Sequence, residues 1–379
     1  MITLLAFALP SLAAIGKVLV FLVMLSILVV LHEYGHFIIA RRNGVRVNDF
    51  ALGMGPTLLK WTSPRSGTNY LINWFPVGGY CAMKGEDGKT NEAEQQRRFR
   101  GVGVVHDQDN FQAKTPLARL AIVVAGPIAN FIIAIVLLVT SYAGFGVPRT
   151  STTIGALIAD KPAIRAGVHT GDRIVAVNGA PVQSGEALVK TIHGSVGVPL
   201  RLDVLRGEAR LTFTVTPQIG DDGNGSKVGL IGFHPVSIPQ RVPLNDAVAQ
   251  SFTDFGNIVG STLSALGGLF VHPAATAAGF SGPVGMARAS GEFQDAGWGA
   301  YFSFAALLSI SLGIFNLLPI PALDGGRGIF ILVEMLRGKP VDPEKEALVH
   351  VGGFAALIVV MLAVAYHDIA RILAGQAAF

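Results

Sequence analysis

Polar and apolar positions along the chain follow three patterns, each predicting a different kind of element. Four stretches are apolar on every face and long enough for helices that cross a bilayer, which takes about 20 residues: 16–40, 117–145, 299–336 and 351–375. The third exceeds one crossing and carries Pro319 and Pro321, so it predicts a helix broken at membrane depth. Backbone that leaves the helix there has to be buried in protein or line a polar cavity, because lipid offers its amides no partner. Further along, Leu200, Leu202 and Val204 alternate with Arg201 and Asp203, and Leu211, Phe213 and Val215 alternate with Thr212, Thr214 and Thr216. That two-residue period predicts half-buried strands. Arg206-Gly207-Glu208 fits the hairpin turn between them, Asn178-Gly179 closes an earlier strand in DRIVAV, and GEALVKTIHG reads as a short helix. Together these predict a compact α+β domain at 150–235. The third pattern, at 236–298, is less regular and suits either a linker or an amphipathic helix lying along a membrane surface.

Composition strengthens the membrane reading. Charged residues make up 14% of the chain, against roughly 25% in soluble proteins, and the mean hydropathy is +0.52. The formal charge of +4 is small and dispersed, and no basic run is interleaved with aromatics, which argues against a nucleic-acid partner. Where the positive residues lie matters more. Arg41, Arg42, Arg46, Lys60, Arg65, Lys84, Lys89, Arg97, Arg98, Arg100, Lys114 and Arg119 fall between the first two spans, which predicts a cytoplasmic connection over about 41–116. Arg337, Lys339 and Lys345 give the same side for the connection between the last two, so both termini and the 146–298 insert are expected outside the cytoplasm. The opening MITLLAFALPSLAAI has a trace of a signal peptide but no basic start. With the apolar run from Gly16 it predicts an uncleaved membrane entry. Cys81 is the lone cysteine, which excludes an intrachain disulfide and reads as a small buried hydrophobe.

The candidate chemistry sits at the end of the first span. His32-Glu33-Tyr34-Gly35-His36 is an H-E-x-x-H. On a helix it sets two imidazoles one turn apart on one face, able to share a metal ion, with Glu33 beside them to take a proton from water. Zinc suits such a site, with three protein ligands and one open position. Ionisable groups directly after VLVFLVMLSILVVL have to face protein or water, not lipid. The broken third span offers a third ligand in Asp324, which follows both prolines; its alternative role is to cap a helix restarting near Arg327. Arg41 and Arg42 follow His36 by five and six positions. At about 1.5 Å per residue, the metal is expected within roughly 10 Å of the cytoplasmic boundary. His106, His169, His193, His234, His272, His350 and His367 lack ligand spacing and are read as structural or solvated.

Two resemblances add to this. PAIRAGVHTGDRIVAVNG resembles the signature of PDZ domains, which bind a peptide C-terminus as an added strand beside a glycine-containing loop. In the circularly permuted bacterial form that loop comes last, which implies a groove at Gly229, Leu230, Ile231, Gly232 and Phe233. More broadly, HEYGH followed by FIIARR, the N-x-x-P-x-P-x-L-D-G-G of 316–326, FALGMGP at 50–56, FPVGGYCAMKG at 75–85, AGPIANF at 125–131 and SGPVG at 281–285 together resemble the site-2 protease family of intramembrane zinc metalloproteases, in particular its bacterial sigma-E-regulating type. The resemblance covers nearly the whole chain. Well-studied members carry two PDZ units, and this chain shows one.

The fold this implies is a polytopic α-helical membrane protein of about four spans, with an inserted extracytoplasmic α+β PDZ domain and a membrane-associated β-hairpin. One Zn2+ per chain is implied, held by His32, His36 and Asp324, with Glu33 as general base. Asn316 is implied to hold substrate. Tyr70–Gly85 is implied to form the hairpin, with a tight turn at Gly78-Gly79 and with Gly78, Gly79 and Tyr80 guiding an unwound substrate strand. Implied substrates are single-span proteins such as anti-sigma factors, or signal-peptide remnants, in a bacterial inner membrane after a first cut by another protease. Two other classes explain less. A membrane PDZ adaptor without catalysis leaves His32, Glu33, His36 and Asp324 idle, and a metal-ion transporter needs neither Glu33 beside the first histidine nor a peptide-binding domain.

Overall fold

The computed structural model describes residues 11–86, 107–221, 227–271, 282–339 and 341–373. The leader-like start up to residue 10, and Lys89, Arg97, Arg98, Arg100, His106, His272 and Ser281, lie outside the described residues. The chain divides into two compact units, Met1–Ser141 together with Ser251–Phe379, and Tyr142–Gln250.

The first unit begins with α1 (Leu12–Arg42), capped by Ser11, whose Oγ accepts the Ala14 amide at 3.2 Å. Apolar residues run almost its full length on every face, with Val23 and Ile27 exposed and Phe21 and Leu28 buried, as suits a helix with protein on one side and lipid on the other. It ends where Arg41 and Arg42 meet the negative pole of the helix and Asn43 Nδ2 donates to the Ile39 carbonyl at 2.8 Å. Two long, bent strands follow, β1 (Val47–Thr62) and β2 (Asn69–Met83). Asp49–Leu52 has partners on both flanks, Ala82 to Gly79 on one and Asn69 to Ile72 on the other, so the two strands build a folded-over sheet. The chain reverses at 63–68, where Pro64 and Gly67 supply the turn chemistry and the Gly67 amide donates to the Ser63 carbonyl at 2.8 Å. It reverses again between Ile72 and Gly79, since 69–72 runs beside 49–52 in the same direction and 79–82 in the opposite one, and the expected turn residues Gly78-Gly79 stand at the end of that second reversal. Gly78, with φ +80°, faces Met54 in that reversal, and Gly79 pairs with Leu52. Trp61, Trp74 and Phe75 are more than 60% exposed on this sheet. A ladder of rings, Phe37 on Phe50 at 5.3 Å, Phe50 on Tyr70 at 6.2 Å and Tyr70 on Trp61 at 5.2 Å, ties it to α1. Next comes α2 (Pro116–Phe145), apolar over most of its length.

The second unit holds β3 (Val147–Leu157), α3 (Pro162–Arg165), β4 (Arg173–Val177), β5 (Ala180–Pro181), α4 (Gly185–His193), β6 (Leu200–Arg206), β7 (Ala209–Val215), β8 (Gln218–Asp221), β9 (Lys227–Leu230) and β10 (Phe233–Gln240). The sheet order is β10-β3-β4-β6-β7 with β5 on β4, and β8-β9 form a separate hairpin. Leu200, Leu202, Val204 and Val215 point into a core shared with Ile174, Leu188 and Ile231, which is what their alternation with polar residues predicts. Asn178 and Gly179, both at positive φ, make the expected turn between β4 and β5. Gly232, at φ +84°, turns the chain from β9 into β10, whose outer edge pairs with no other strand among the described residues.

After it the chain is helical through most of the less regular segment, with α5 (Leu244–Val271) and α6 (Pro283–Asp295). Then come α7 (Trp298–Leu317), a break at 318–323, α8 (Asp324–Arg337) and α9 (Pro343–Leu373). Among the described residues, four helices, α1, α2, α7 and α9, are long and apolar enough to cross a membrane. Phe21, Met24 and Leu28 of α1 share a core with Tyr301, Phe304 and Leu308 of α7. The Asp368 carboxylate of α9 accepts the Gly282 and Gly285 amides at 3.2 and 2.9 Å, satisfying donors at the start of α6 that have no partner within that helix.

One ion pair carries a pH consequence. Asp172, buried before β4, accepts both Nε and Nη2 of Arg206 at 2.8 Å and the His169 amide at 2.8 Å. These donors hold its pKa below the ordinary carboxylate value. A depressed folded pKa stabilises above the unfolded value and loses that contribution as pH falls through the folded one. Asp172→Asn is expected to lower hydrogen-exchange protection of β4 and β6 by about 1–3 kcal/mol at neutral pH. The gap from wild type should close below about pH 4; a gap that stays constant with pH would contradict it.

Candidate metal centre

The site forms where α1, α2 and the restart after the α7 break converge. His32 and His36 stand one turn apart, both 6% exposed, with their rings edge-on at 4.8 Å between centroids. The helix-to-helix approach that buries them depends on glycine. A Cβ on Gly35 would run into the Ala125 carbonyl of α2, and one on Gly126 of α2 would overlap Nε2 of both histidines, so no side chain fits at either position. Glu33 is half-buried next to the edge of β2, with its Cγ 3.8 Å from where a Cβ on Gly79 would stand. It lies within electrostatic reach of His36 and Asp324 and close to the Cys81 backbone.

Asp324 comes from the broken helix. Leu318 leaves the α7 ladder, and Ala322 adopts φ +78°, rare for a residue with a side chain. Its amide is held by His350 Nδ1 of α9 at 2.9 Å. Gly325 and Gly326 then pack so tightly against the carbonyls of Leu317, Leu318 and Ile320 that a methyl group at either position would overlap them. The expected alternative, a cap for a helix starting near Arg327, does not hold: α8 begins at Asp324 itself, capped by Leu323 without a side-chain bond, and the Asp324 carboxylate turns to the histidines. Arg327 pairs with Glu86 beyond β2, and Arg119 of α2 pairs with Glu334 of α8, so the restart is also fixed by charge.

His32 Nε2 to Asp324 Oδ2 is 3.0 Å, His36 Nε2 to the same oxygen 3.3 Å, and the two Nε2 atoms are 3.2 Å apart. Ligands about 2.0–2.1 Å from a tetrahedral zinc are about 3.3 Å from one another, so this triangle matches one face of such a tetrahedron and leaves the fourth corner open. The other ring nitrogens are engaged too. His36 Nδ1 donates to the Ile122 carbonyl at 2.8 Å, and His32 Nδ1 lies 3.1 Å from Asn130 Nδ2. No other group of three or more His, Cys, Asp or Glu residues with this closeness occurs among the described residues.

The other expected positions have contacts of their own. Asn316 donates to the Leu312 carbonyl in its own helix at 3.0 Å. Tyr80 pairs with Ala51 in the sheet, and Gly229, Leu230, Ile231, Gly232 and Phe233 belong to the second unit, with Ile231 in its core. Gly35, Gly126 and Asn130 lie inside HEYGH and AGPIANF, whose spelling does not reveal these contacts, and His350, expected to be structural or solvated, braces the loop before Asp324. Gly126 and Asn130 stand one helical turn apart inside AGPIANF, but nothing local says that their face meets the histidines.

An H-E-x-x-H facing a carboxylate from a broken helix, among four apolar helices, is the arrangement of a membrane metallopeptidase. The chain belongs to peptidase family M50, whose family model matches residues 20–360. It is similar to the zinc metalloprotease RasP of Geobacillus kaustophilus, at 30% identity over 94% of this chain and 98% of the relative. It is also similar to a putative zinc metalloprotease of Clostridium acetobutylicum, at 34% over 91% and 94%, and to the regulator of sigma-W protease RasP of Bacillus subtilis, at 30% over 94% and 99%. Among solved structures, the PDZ domain of an SdrC-like protein from Listeria monocytogenes matches 24% of the chain and 92% of its own at 22% identity and a TM-score of 0.20, too slight a likeness to carry an argument. The chain is therefore a zinc metalloprotease of the intramembrane, site-2 kind.

Proposed function

We propose that one zinc ion per chain is held by His32, His36 and Asp324, and that Glu33 is the general base of peptide-bond hydrolysis within the membrane. The observation that carries this is the triangle of donor atoms, 3.0–3.3 Å on each side, with the Glu33 carboxylate beside it. When bound, zinc supplies a Lewis acid for the scissile carbonyl and for water. Glu33 takes the proton of the attacking water and passes it to the leaving amide nitrogen. A substrate helix hides its carbonyls in its own hydrogen bonds, so it has to open before attack. The edge segment Gly79–Met83, which runs past Glu33, offers an opened strand backbone partners, and Gly79 keeps that approach free of side chains. Asn316 is assigned to substrate holding on family resemblance.

The arrangement in the membrane follows from charge. Arg41 and Arg42 at the end of α1 set the metal near the cytoplasmic face of a bacterial inner membrane, with both termini and the insert on the other side. The exposed Trp61, Trp74 and Phe75 suit a β1–β2 sheet dipping into lipid. The insert is read as a PDZ domain whose groove follows the Gly232 turn along the open edge of β10. There it takes the C-termini of trimmed proteins or excludes bulky ones, so that single-span substrates enter only after a first cut.

Four measurements check this. In purified protein Glu33→Gln is expected to keep its zinc and lose cleavage by about 10²–10⁴-fold, and substrates with raised helix propensity around the scissile bond should be cut more slowly. Undiminished cleavage would refute the role of Glu33. Deleting 150–235 should widen the range of substrates cut while cleavage of a short, trimmed one persists; loss of all cleavage in a folded variant would count against a filter. Fluorescence of Trp61 and Trp74 should be quenched by lipids brominated on their chains in vesicles, and accessibility only to aqueous quenchers would remove the hairpin from the membrane.

A further inference from the structure

We infer that Asn130 is a positioning residue for the metal: its amide oxygen accepts the Nδ1 proton of His32 and so fixes the tautomer in which His32 Nε2 presents its lone pair to the ion. This rests on the proposed ligation by His32. An imidazole that binds metal through one nitrogen carries its proton on the other, and that proton needs an acceptor. For His36 the acceptor is unambiguous, because the Ile122 carbonyl at 2.8 Å can only accept. For His32 the group at hydrogen-bond distance from Nδ1 is the side chain of Asn130, which is 0% exposed.

Asn130 offers a donor and an acceptor on the same amide. With Nδ2 toward the ring at 3.1 Å, His32 Nδ1 has to accept, its proton moves to Nε2, and the nitrogen that faces Asp324 and His36 is no longer free to bind. In that orientation Asn130 Oδ1 is buried without a hydrogen-bond partner. Turning the amide by half a rotation exchanges the two atoms almost without moving any other, brings the idle oxygen to Nδ1, and frees Nε2. Two further contacts make the position stiff. The Asn130 backbone carbonyl accepts Ser309 Oγ of α7 at 2.8 Å, and Gly126, one turn earlier on the same face, lets α2 lie directly against both rings.

The test is zinc affinity, measured by competition with a chromophoric chelator on the full chain in detergent micelles at one neutral pH. Asn130→Ala is expected to weaken binding by about 10–100-fold, the range typical for loss of such a partner. Asn130→Asp, which keeps an oxygen acceptor and has no donor, is expected to restore the wild-type order of magnitude. A purely structural role predicts the reverse order, since an added charge in a sealed slot harms packing at least as much as a truncation. If Asn130→Ala does not fold, Asn130→Leu, of similar volume and without an acceptor, takes its place in the comparison. Asn130→Asp binding as weakly as the variant without an acceptor, or that variant binding like wild type, overturns the inference alone. His32→Ala binding zinc as tightly as wild type removes the ligation on which it rests, and the inference with it.

Discussion

Three ionisable side chains meet within 3.3 Å of one another among apolar helices, and most of the first unit is arranged around that fact. An unpaired carboxylate or imidazolium in such surroundings is costly, whereas a carboxylate facing two imidazoles is a matched set. Matching them requires backbones closer than side chains usually permit. Gly35 and Gly126 bring α1 and α2 together, and Gly325 and Gly326 fold the α8 start back onto the end of α7. The chain gives up helical continuity at 318–323 so that a carboxylate approaches along a direction no continuous span offers.

Around the centre, polar contacts take over a task that apolar packing performs poorly in lipid. Between helices surrounded by hydrocarbon there is little hydrophobic gain, so position depends on small residues and on specific hydrogen bonds and ion pairs. Arg119 with Glu334, Arg327 with Glu86, and Asp368 with the start of α6 each join elements far apart in sequence. The second unit works differently: a sheet with Leu202, Val204 and Val215 on one face buries them as any water-soluble domain would.

What could be read in advance follows this difference. Spans and strands are written locally, in apolar runs and two-residue alternation, and α1, α2, α7, β6 and β7 lie close to where those patterns put them. The break before Asp324 was legible because proline and glycine act within a few residues. The β1–β2 sheet was legible only in part. Gly78-Gly79 marks the reversal that leads into Gly79–Ala82, but the pairing of Asp49–Leu52 with two partners at once is a long-range choice that no short window contains. The particular contacts of Asn130 and His350 were hidden for a related reason. Each carries an ordinary local pattern, and each matters only through what another helix places against it.

The contact between His350 and the Ala322 amide has a bearing on how such a protein is made. Asp324 lies 292 residues beyond His32, and the side chain that steadies its loop is later still, on the last helix. During synthesis HEYGH enters the bilayer early, while the parts that complete and brace the centre are unmade. A nascent chain thus carries HEYGH through most of its synthesis without the carboxylate that faces it, and a product truncated before α9 would hold the motif without the His350 contact that braces the loop before Asp324.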